Sequence, residues 1–380
     1  MPSLTTRAAV ARTAEDTFHW ETVLLDGPGP GEVLVQLVAT GLCHTDLSVL
    51  AGRLPTPLPA VLGHEGAGIV QDIGPNVTGL TPGDRVLLTF NSCGHCLKCR
   101  IGAPTRCTTY FPRNFGAARP DGTSPIRTPD GARLGGLFFG QSSLAHHAVV
   151  SAPSVVRVEV ADDDELALLA PIGCGVQTGA GAILNVLKPQ PGDTVVVLGA
   201  GAVGLSAVMA ARLSGARTII AADIVTERLR TAEDLGATHT VNSRQDDLAQ
   251  RITDITRHAG ATHIVETTGV PALLELAVSQ LGVGGTVAVV GAPAAGSRAS
   301  FDINSLIDGR TIRGVTEGAS DRLTFIPALI DLHRQGRLPF DRFIRSYTPD
   351  RLGRAVADAR SGHTIKPVIR FDTSEHLGEK

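Results

Sequence analysis

Apolar residues change their spacing part-way along the chain. Before residue 176, short β-branched runs lie between Gly/Pro turns, as in residues 32–38 and Arg85–Leu88, which predicts a β-rich region. From residue 176 to about 315, strand-like runs such as Thr194–Leu198 alternate with helical patterns such as Ala202–Leu213. Strands that alternate with helices predict right-handed βαβ units and a parallel sheet.

These patterns predict an α/β fold with two domains. A doubly wound parallel sheet of the Rossmann type is expected over residues 177–315, and a β-rich catalytic domain over residues 1–176. We expect residues 316–380 to return to the first domain. A strand near residues 286–290 is expected to extend the sheet across a two-fold axis.

Composition narrows the range of partners. The 380 residues carry a net charge of −3 and contain no basic tract, which argues against nucleic acid and anionic membranes as partners. No run of about 18 apolar residues is present, and the first residues lack a signal-peptide pattern, so we predict a cytoplasmic protein. A reducing compartment also suits thiolate metal ligands.

Four of the six cysteines form one short run, and we call this segment the four-cysteine loop. Four thiolates on one loop favour a closed, structural zinc site. Disulfides are disfavoured in a cytoplasmic chain. An iron–sulfur cluster also uses four cysteines, but its usual spacing after the third cysteine differs. Three cations, Lys98, Arg100 and Arg106, can offset the thiolate charge. The predicted ligands are Cys93, Cys96, Cys99 and Cys107.

The other two cysteines, Cys43 and Cys174, are isolated, and His64 lies between them in a glycine-rich setting. Two cysteines and one histidine suit a catalytic zinc, which keeps a fourth position open. Asp46 is predicted to orient His64 through its second ring nitrogen. A zinc ion there would bind an alcohol oxygen and lower its pKa, while hydride leaves for a nicotinamide.

A glycine fingerprint follows the first strand of the predicted parallel sheet. Gly199-x-Gly201-x2-Gly204 opens a helix, and Asp223 ends the next strand, which is the context of a dinucleotide site. The glycines allow the turn, the approach of the pyrophosphate and helix–strand packing. Asp223 would bind the adenosine ribose and repel a 2′-phosphate, so we predict NAD as the cofactor.

Taken together, these residues carry a family resemblance. The chain resembles the zinc-containing medium-chain alcohol dehydrogenases over essentially its full length, and within them the benzyl (aryl) alcohol dehydrogenases. The resemblance implies a GroES-like fold for the β-rich domain, two zinc ions per chain, a small alcohol or aldehyde as substrate, and a homodimer or homotetramer. The stretches that carry it are Cys43-His44-Thr45-Asp46-Leu47, Gly63-His64-Glu65-x2-Gly68-x5-Gly74, the four-cysteine loop, Gly173-Cys174-Gly175 with Thr178-Gly179, and the glycine fingerprint.

The same resemblance implies further site residues. Glu65 would lie near the catalytic zinc, and Thr45 would pass the alcohol proton towards the nicotinamide ribose. The expected cofactor contacts are His44 and Lys366 at the pyrophosphate, Arg228 at the adenosine ribose, and Thr178 and Val203 at the nicotinamide.

Ser48 occupies the position at which many relatives carry a histidine that completes the proton path. A serine does not titrate near neutral pH. Either protons leave through water, or His44 takes over, or the base is lost and the pH optimum moves upward.

Aromatic residues favour benzylic or allylic alcohols, an expectation that rests on family analogy. The candidate pocket residues are Phe90, Phe115, Phe138, Phe139 and Glu317. A thiol-dependent formaldehyde dehydrogenase of the same fold and a medium-chain dehydrogenase for another alcohol are the enzymatic alternatives. A non-catalytic NAD-sensing protein would have lost a catalytic zinc ligand, and none is missing.

Overall fold

The protein, analysed as a computed structural model, is described over residues 3–373 and divides into two compact units. The first unit comprises residues 3–174, 321–327 and 344–373. The second comprises residues 175–320 and 328–343. The chain thus returns to the first unit in two pieces. The domain boundaries expected at residues 176 and 315 stay predictions.

Two antiparallel-rich sheets build the first unit. One has the strand order β4-β1-β2-β7-β8, and the other runs β10-β6-β5-β3 before it continues into the C-terminal strands, while β9 also pairs with β3. In the long strand β3, residues 33–37 alternate between buried and half-buried, which follows from the two-residue period of a strand, and residues 38–41 are all buried. The strands are β1 Leu4–Ala11, β2 Phe18–Leu25, β3 Glu32–Gly41, β4 Ala60–Val61, β5 Gly66–Ile73, β6 Arg85–Leu88, β7 Ile126–Arg127, β8 Arg133–Leu134, β9 His147–Ser151 and β10 Val155–Arg157.

A six-stranded parallel sheet forms the second unit, in the order β13-β12-β11-β14-β15-β16. Relative to the chain this is the order 3-2-1-4-5-6 of a dinucleotide-binding sheet. Its core contains Val196, Ile220, Ile264 and Val287, all fully buried. The strands are β11 Thr194–Leu198, β12 Thr218–Asp223, β13 His239–Asn242, β14 Ala261–Glu266, β15 Leu281–Val289 and β16 Thr311–Gly314. The chain then adds β17 Ile344–Tyr347 and β18 Lys366–Arg370 to the first unit.

Helices connect these strands. The α-helices are α1 His44–Leu50, α2 Leu97–Arg100, α3 Tyr110–Phe115, α4 Asp163–Leu169, α5 Gly175–Gly181, α6 Ala202–Leu213, α7 Thr226–Leu235, α8 Leu248–Ile255, α9 Pro271–Ser279, α10 Arg322–Arg334 and α11 Leu352–Ser361. A π-helical turn, Ala182–Leu187, follows α5. Short 3-10 turns are Pro104–Arg106, Phe138–Gly140, Ala152–Ser154, Ala170–Gly173, Ile303–Leu306, Glu317–Ala319, Phe340–Phe343 and Pro349–Arg351.

The predicted fold class is confirmed: a doubly wound parallel sheet accompanies a β-rich unit. The strand near residues 286–290 is, however, not an edge. It forms part of β15, which pairs with β14 and β16 on its two sides, so it cannot extend the sheet. The edge belongs to β16, whose residues are largely exposed. Sequence periodicity finds strands but does not order them, and this explains the error.

Within residues 3–373, no single helix is long and apolar enough to cross a bilayer. The bent pair Asp163–Gly173 and Gly175–Leu187 passes that test by length and composition alone, as buried core helices also do.

Candidate functional site

His64 is held in one orientation by Asp46. The imidazole Nδ1 lies 3.0 Å from Asp46 Oδ1, and both side chains are completely buried. Asp46 also accepts hydrogen bonds from the backbone N–H of Gly63 at 3.0 Å and of Cys43 at 2.9 Å. One carboxylate therefore joins the start of helix α1 to the turn that carries His64, and it directs the histidine Nε2 to the opposite side.

The two isolated cysteines lie on that opposite side. The ligand atoms of Cys43, His64 and Cys174 are within 4.8 Å of one another, and all three residues are buried. Among the described residues, His64 Nε2 has no hydrogen-bond partner, although it is fully buried. A buried orphan nitrogen facing two sulfurs fits a zinc ion with a fourth position left for another ligand.

Charges around this group favour a thiolate. A hydrogen bond from Cys174 and the positive charges of Lys366 and His64 hold the pKa of Cys43 well below its usual value, although burial opposes them. Burial alone would lower the pKa of His64, but the charges of Asp46 and Cys43 outweigh burial and raise that pKa. The surroundings thus favour positive charge at Nε2, which a metal cation can supply in place of a proton.

Glu65 forms a buried ion pair with Lys366. Lys366 Nζ lies 2.8 Å from both carboxylate oxygens, and both side chains are almost fully buried. Burial raises the pKa of Glu65 to about 7, while Lys366 opposes this shift. Gly41 makes room for the carboxylate, because a Cβ there would meet Glu65 Oε2 at 1.9 Å. Lys366 is not a solvated surface charge, and its contact with the pyrophosphate stays a prediction.

The remaining predicted residues of this group lie on helix α1. His44 is the first residue of this helix and is exposed. Thr45 is half-buried, and its hydroxyl lies 3.8 Å from Cys43 Sγ. Ser48 lies one turn further on and is buried. A hydroxyl beside the cysteine is suitably placed for proton transfer, whereas the roles of Thr45 and His44 stay predictions.

Gln141, which closely follows the predicted pocket residue Phe139 in the chain but was not itself predicted, fixes the backbone around His64. Gln141 is fully buried. Its amide donates to the carbonyls of His64 at 2.9 Å and Thr89 at 3.1 Å, and its oxygen accepts from Gly66 N–H at 3.1 Å. This use of the whole amide satisfies buried polar groups that would otherwise be costly. Only a sequence motif around Gln141 could have revealed this role, and the sequence contains none.

The residues just before that glutamine supply aromatic rings. Phe139 stacks on the His64 imidazole at a centroid distance of 4.5 Å, and Phe138 packs edge-on at 5.6 Å. Phe115 contacts Phe139 at 5.0 Å. Phe139 and Leu137 both have positive φ, at 52° and 66°. Backbone strain of about 1–3 kcal/mol per residue is retained where surrounding contacts enforce it, often at functional sites.

The four-cysteine loop brings together all of its predicted ligands. Their four sulfurs lie within 4.8 Å of one another, with Cys93–Cys99 at 3.9 Å and Cys96–Cys99 at 3.5 Å. Zn–S bonds of about 2.3 Å in a tetrahedron imply S–S separations of about 3.8 Å. The arrangement fits a closed zinc site with four thiolate ligands.

The glycine fingerprint occupies the turn between β11 and α6. Gly199 has φ = +94°, which favours glycine, and a Cβ at Gly204 would lie 1.8 Å from the Gly199 carbonyl oxygen. Around Gly201 the space is open, as a pyrophosphate requires. Asp223 accepts from Ala200 N–H at 2.7 Å, so the carboxylate closes the same turn.

Other predicted nucleotide contacts lie in the second unit. Arg228 Nη1 is 3.9 Å from Asp223 Oδ2, which places both side chains at the end of β12. Thr178 is buried with its hydroxyl 3.4 Å from Glu317 Oε2, and Val203 is half-buried at the start of α6. The roles of these residues in NAD binding stay predictions.

Two family descriptions match the chain. Residues 29–159 match the alcohol dehydrogenase GroES-like domain, and residues 202–332 match the zinc-binding dehydrogenase family. A geraniol dehydrogenase of Castellaniella defragrans is 41% identical over 97% of this chain and 98% of its own length.

The chain belongs to the zinc-containing medium-chain alcohol dehydrogenases. Two solved structures share the complete fold. The benzyl alcohol dehydrogenase of Acinetobacter calcoaceticus is 44% identical, with a TM-score of 0.92 over 97% of this chain and 100% of that one. An alcohol dehydrogenase zinc-binding domain protein of Burkholderia ambifaria is 48% identical, with a TM-score of 0.93 over the same shares.

This alcohol dehydrogenase uses zinc and NAD, and it acts on a small-molecule alcohol. When bound, zinc supplies a Lewis acid that polarises the substrate oxygen, and NAD accepts the hydride. The chain itself positions the ligands, because Cys43, His64 and Cys174 are buried together.

Proposed function

We propose that this alcohol dehydrogenase interconverts primary aryl or allylic alcohols, of the benzyl alcohol type, and their aldehydes. The aromatic packing around His64 supports this substrate class best. Phe139 stacks on the imidazole and Phe138 packs edge-on against it, while Phe115 packs on Phe139 behind them, so the zinc-binding group is backed by aromatic rings. Aromatic side chains attract flat, polarisable partners. The similar proteins named for geraniol and benzyl alcohol are consistent with this choice.

We assign the proton path to Thr45. Its hydroxyl lies beside Cys43 and can pass the alcohol proton along helix α1. Ser48 follows on the same helix and is buried, and a serine hydroxyl does not titrate near neutral pH, so it cannot act as the base. His44 precedes Thr45 at the helix start and is exposed, whereas Asp46 on the other side is buried, so His44 takes the proton to solvent.

Substrate preference is tested directly by following NADH absorbance at 340 nm. The panel contains benzyl alcohol, cinnamyl alcohol, geraniol, ethanol and hydroxymethyl-glutathione, with zinc counted on the same sample. We expect kcat/KM for benzyl, cinnamyl or geranyl alcohol to exceed that for ethanol by at least about 100-fold, the scale of a well-filled apolar pocket. Activity restricted to hydroxymethyl-glutathione would instead identify a thiol-dependent formaldehyde dehydrogenase.

The aromatic contribution is isolated by Phe139→Leu, which keeps an apolar side chain. We expect the benzyl-to-ethanol ratio of kcat/KM to fall by about 5-fold, because one aromatic contact contributes about 1 kcal/mol. Phe111→Leu is the matched control, since Phe111 is 55% exposed and does not contact His64. An unchanged ratio in Phe139→Leu, with an unchanged zinc content, would remove the aromatic argument.

We also propose that the enzyme is a homo-oligomer whose subunits meet near edge strand β16. Large apolar side chains of the second unit are exposed beside this edge, with Ile303 at 76%, Ile307 at 78% and Val283 at 79%. A second copy would cover these residues and pair the open edge. Light scattering after size exclusion tests this: a monomer would refute the proposal, and Ile307→Lys should weaken the dimer.

A further inference from the structure

The four-cysteine loop has a charge problem that its own sequence does not solve. Four thiolates around one divalent cation leave an excess of negative charge. The neighbouring cations Lys98, Arg100 and Arg106 are all exposed to solvent. Exposed charges are screened by water and salt and contribute little. A buried cation would be far more effective, because the local dielectric constant is lower.

Arg322 is such a cation, and it comes from the distant start of helix α10. Arg322 is only 9% exposed. The guanidinium donates from Nη1 to the hydroxyl of Ser92 at 3.1 Å, and it lies 5.2 Å from the centroid of the Phe90 ring. Ser92 directly precedes Cys93, so Arg322 contacts the chain at the point where the loop begins.

Arg322 also lacks the partner that a buried arginine normally has. Among residues 3–373 its contacts are with Ser92 and Phe90 and not with a carboxylate, and its Nε has no hydrogen-bond partner. Burial lowers the pKa of Arg322, while the charges of Asp321, Cys99 and Cys107 oppose that shift. Burying an unpaired charge costs several kcal/mol, so a compensating negative charge is required. Deprotonated cysteines of the loop supply it when zinc is bound.

We propose that Arg322 is the buried counter-cation of the four-cysteine zinc site and slows the loss of zinc from it. The contact works in both directions: the thiolates stabilise the guanidinium, and the guanidinium stabilises the thiolates. It also ties the first turn of α10 to the loop through Ser92 and Phe90.

The test measures zinc retention at the loop and not catalysis. Zinc-loaded protein is mixed with excess EDTA and iodoacetamide, and alkylation of each cysteine is followed by mass spectrometry. Cysteines become reactive when their zinc leaves, so Cys93 to Cys107 report on the loop. Cys43 and Cys174 report on the other site within the same molecules. The variants are Arg322→Lys, Arg322→Met and Arg322→Gln, with Arg106→Gln as an exposed control.

We expect Arg322→Met and Arg322→Gln to release loop zinc about 10- to 100-fold faster, the usual effect of losing a partner of a metal ligand. Arg322→Lys keeps the charge and should lie closer to the wild type, and Arg106→Gln should change the rate by less than about 2-fold. Alkylation of Cys43 and Cys174 should be unaffected in every variant.

Two results would overturn the proposal. If Arg322→Met retains loop zinc as well as the wild type, the side chain acts through packing on Phe90 alone. If Arg322→Lys releases zinc as fast as Arg322→Met, charge is not the cause. General unfolding of a variant is recognised because Cys43 and Cys174 would then be alkylated at the same rate as the loop cysteines. If one variant unfolds in this way, the comparison is made with the Arg322 variants that stay folded.

Discussion

The two groups of cysteines differ in how their ligands come together. In the four-cysteine loop, all ligands lie within one short segment, and three of its four cysteines are partly exposed. At the other site, Cys43, His64 and Cys174 come from distant parts of the chain, and all are buried. A local site can be recognised from spacing, whereas a distant one depends on the tertiary fold. The distant site therefore depends on further buried residues: Asp46 and Gln141 hold His64 in place.

The two sites also differ in the number of ligands that the protein supplies, and this difference suits different functions. The four sulfurs of the loop can occupy all four coordination positions of one zinc ion, which suits a closed structural site. The buried site offers three ligands and an aromatic surround, which suits a reacting oxygen at the fourth position. The following predictions test this division, from the largest effect to the smallest.

Cys174→Ala should remove activity while the fold persists. We expect kcat/KM to fall by at least about 1,000-fold, because metal polarisation contributes several kcal/mol, and bound zinc to fall from about two to about one per chain. Metal analysis, circular dichroism and the NADH assay measure the three quantities. Two zinc ions retained in this variant would contradict the assignment of Cys174 as a ligand.

Cys96→Ala should act on stability. A bound metal at 1,000 times its Kd contributes about 4 kcal/mol, so we expect Tm to fall by about 10 °C. Scanning calorimetry at fixed zinc concentration measures the change. The division between a structural and a catalytic site would fail if Cys96→Ala and Cys174→Ala lowered Tm equally.

Asp46→Asn should weaken the buried site alone. The amide cannot accept as strongly from His64 Nδ1, and loss of such a partner lowers metal affinity or activity by about 10- to 100-fold. Zinc competition and kcat/KM are the measurements, with exposed Asp234→Asn as the control. An equal loss of zinc from the four-cysteine loop would show that Asp46 supports the fold in general.

Acidification should release zinc from both sites, through a different proton at each. Burial raises the pKa of Cys99 in the loop to about 12, and the charges of Asp46 and Cys43 raise the pKa of His64 at the buried site. Zinc must therefore displace a proton from Cys99 at one site and from His64 at the other at neutral pH. Each displaced proton makes affinity fall about 10-fold per unit of decreasing pH. Alkylation in EDTA at pH 8, 7 and 6 compares both sites in one sample, and zinc retention that did not change with pH at either site would contradict the prediction.

Much of the fold could be predicted, because local patterns carry it. The helix bounds Ala202–Leu213 and the strand bounds Thr194–Leu198 agree with the sequence pattern, since glycine and apolar spacing mark both ends. The edge of the parallel sheet was predicted wrongly, because strand order is set by crossover connections. Glu65 could be placed near His64, but its ion pair with Lys366 joins strands far apart in sequence.

The sequence by itself determined the residue types and spacings of the zinc ligands and the glycine turn, because those are properties of short segments. Only the tertiary structure decided which buried groups support them: Gln141 on the backbone of His64, Lys366 on Glu65, and Arg322 beside the four-cysteine loop. The physical reason is that burial strengthens charges and hydrogen bonds, and burial exists only after distant segments have packed together.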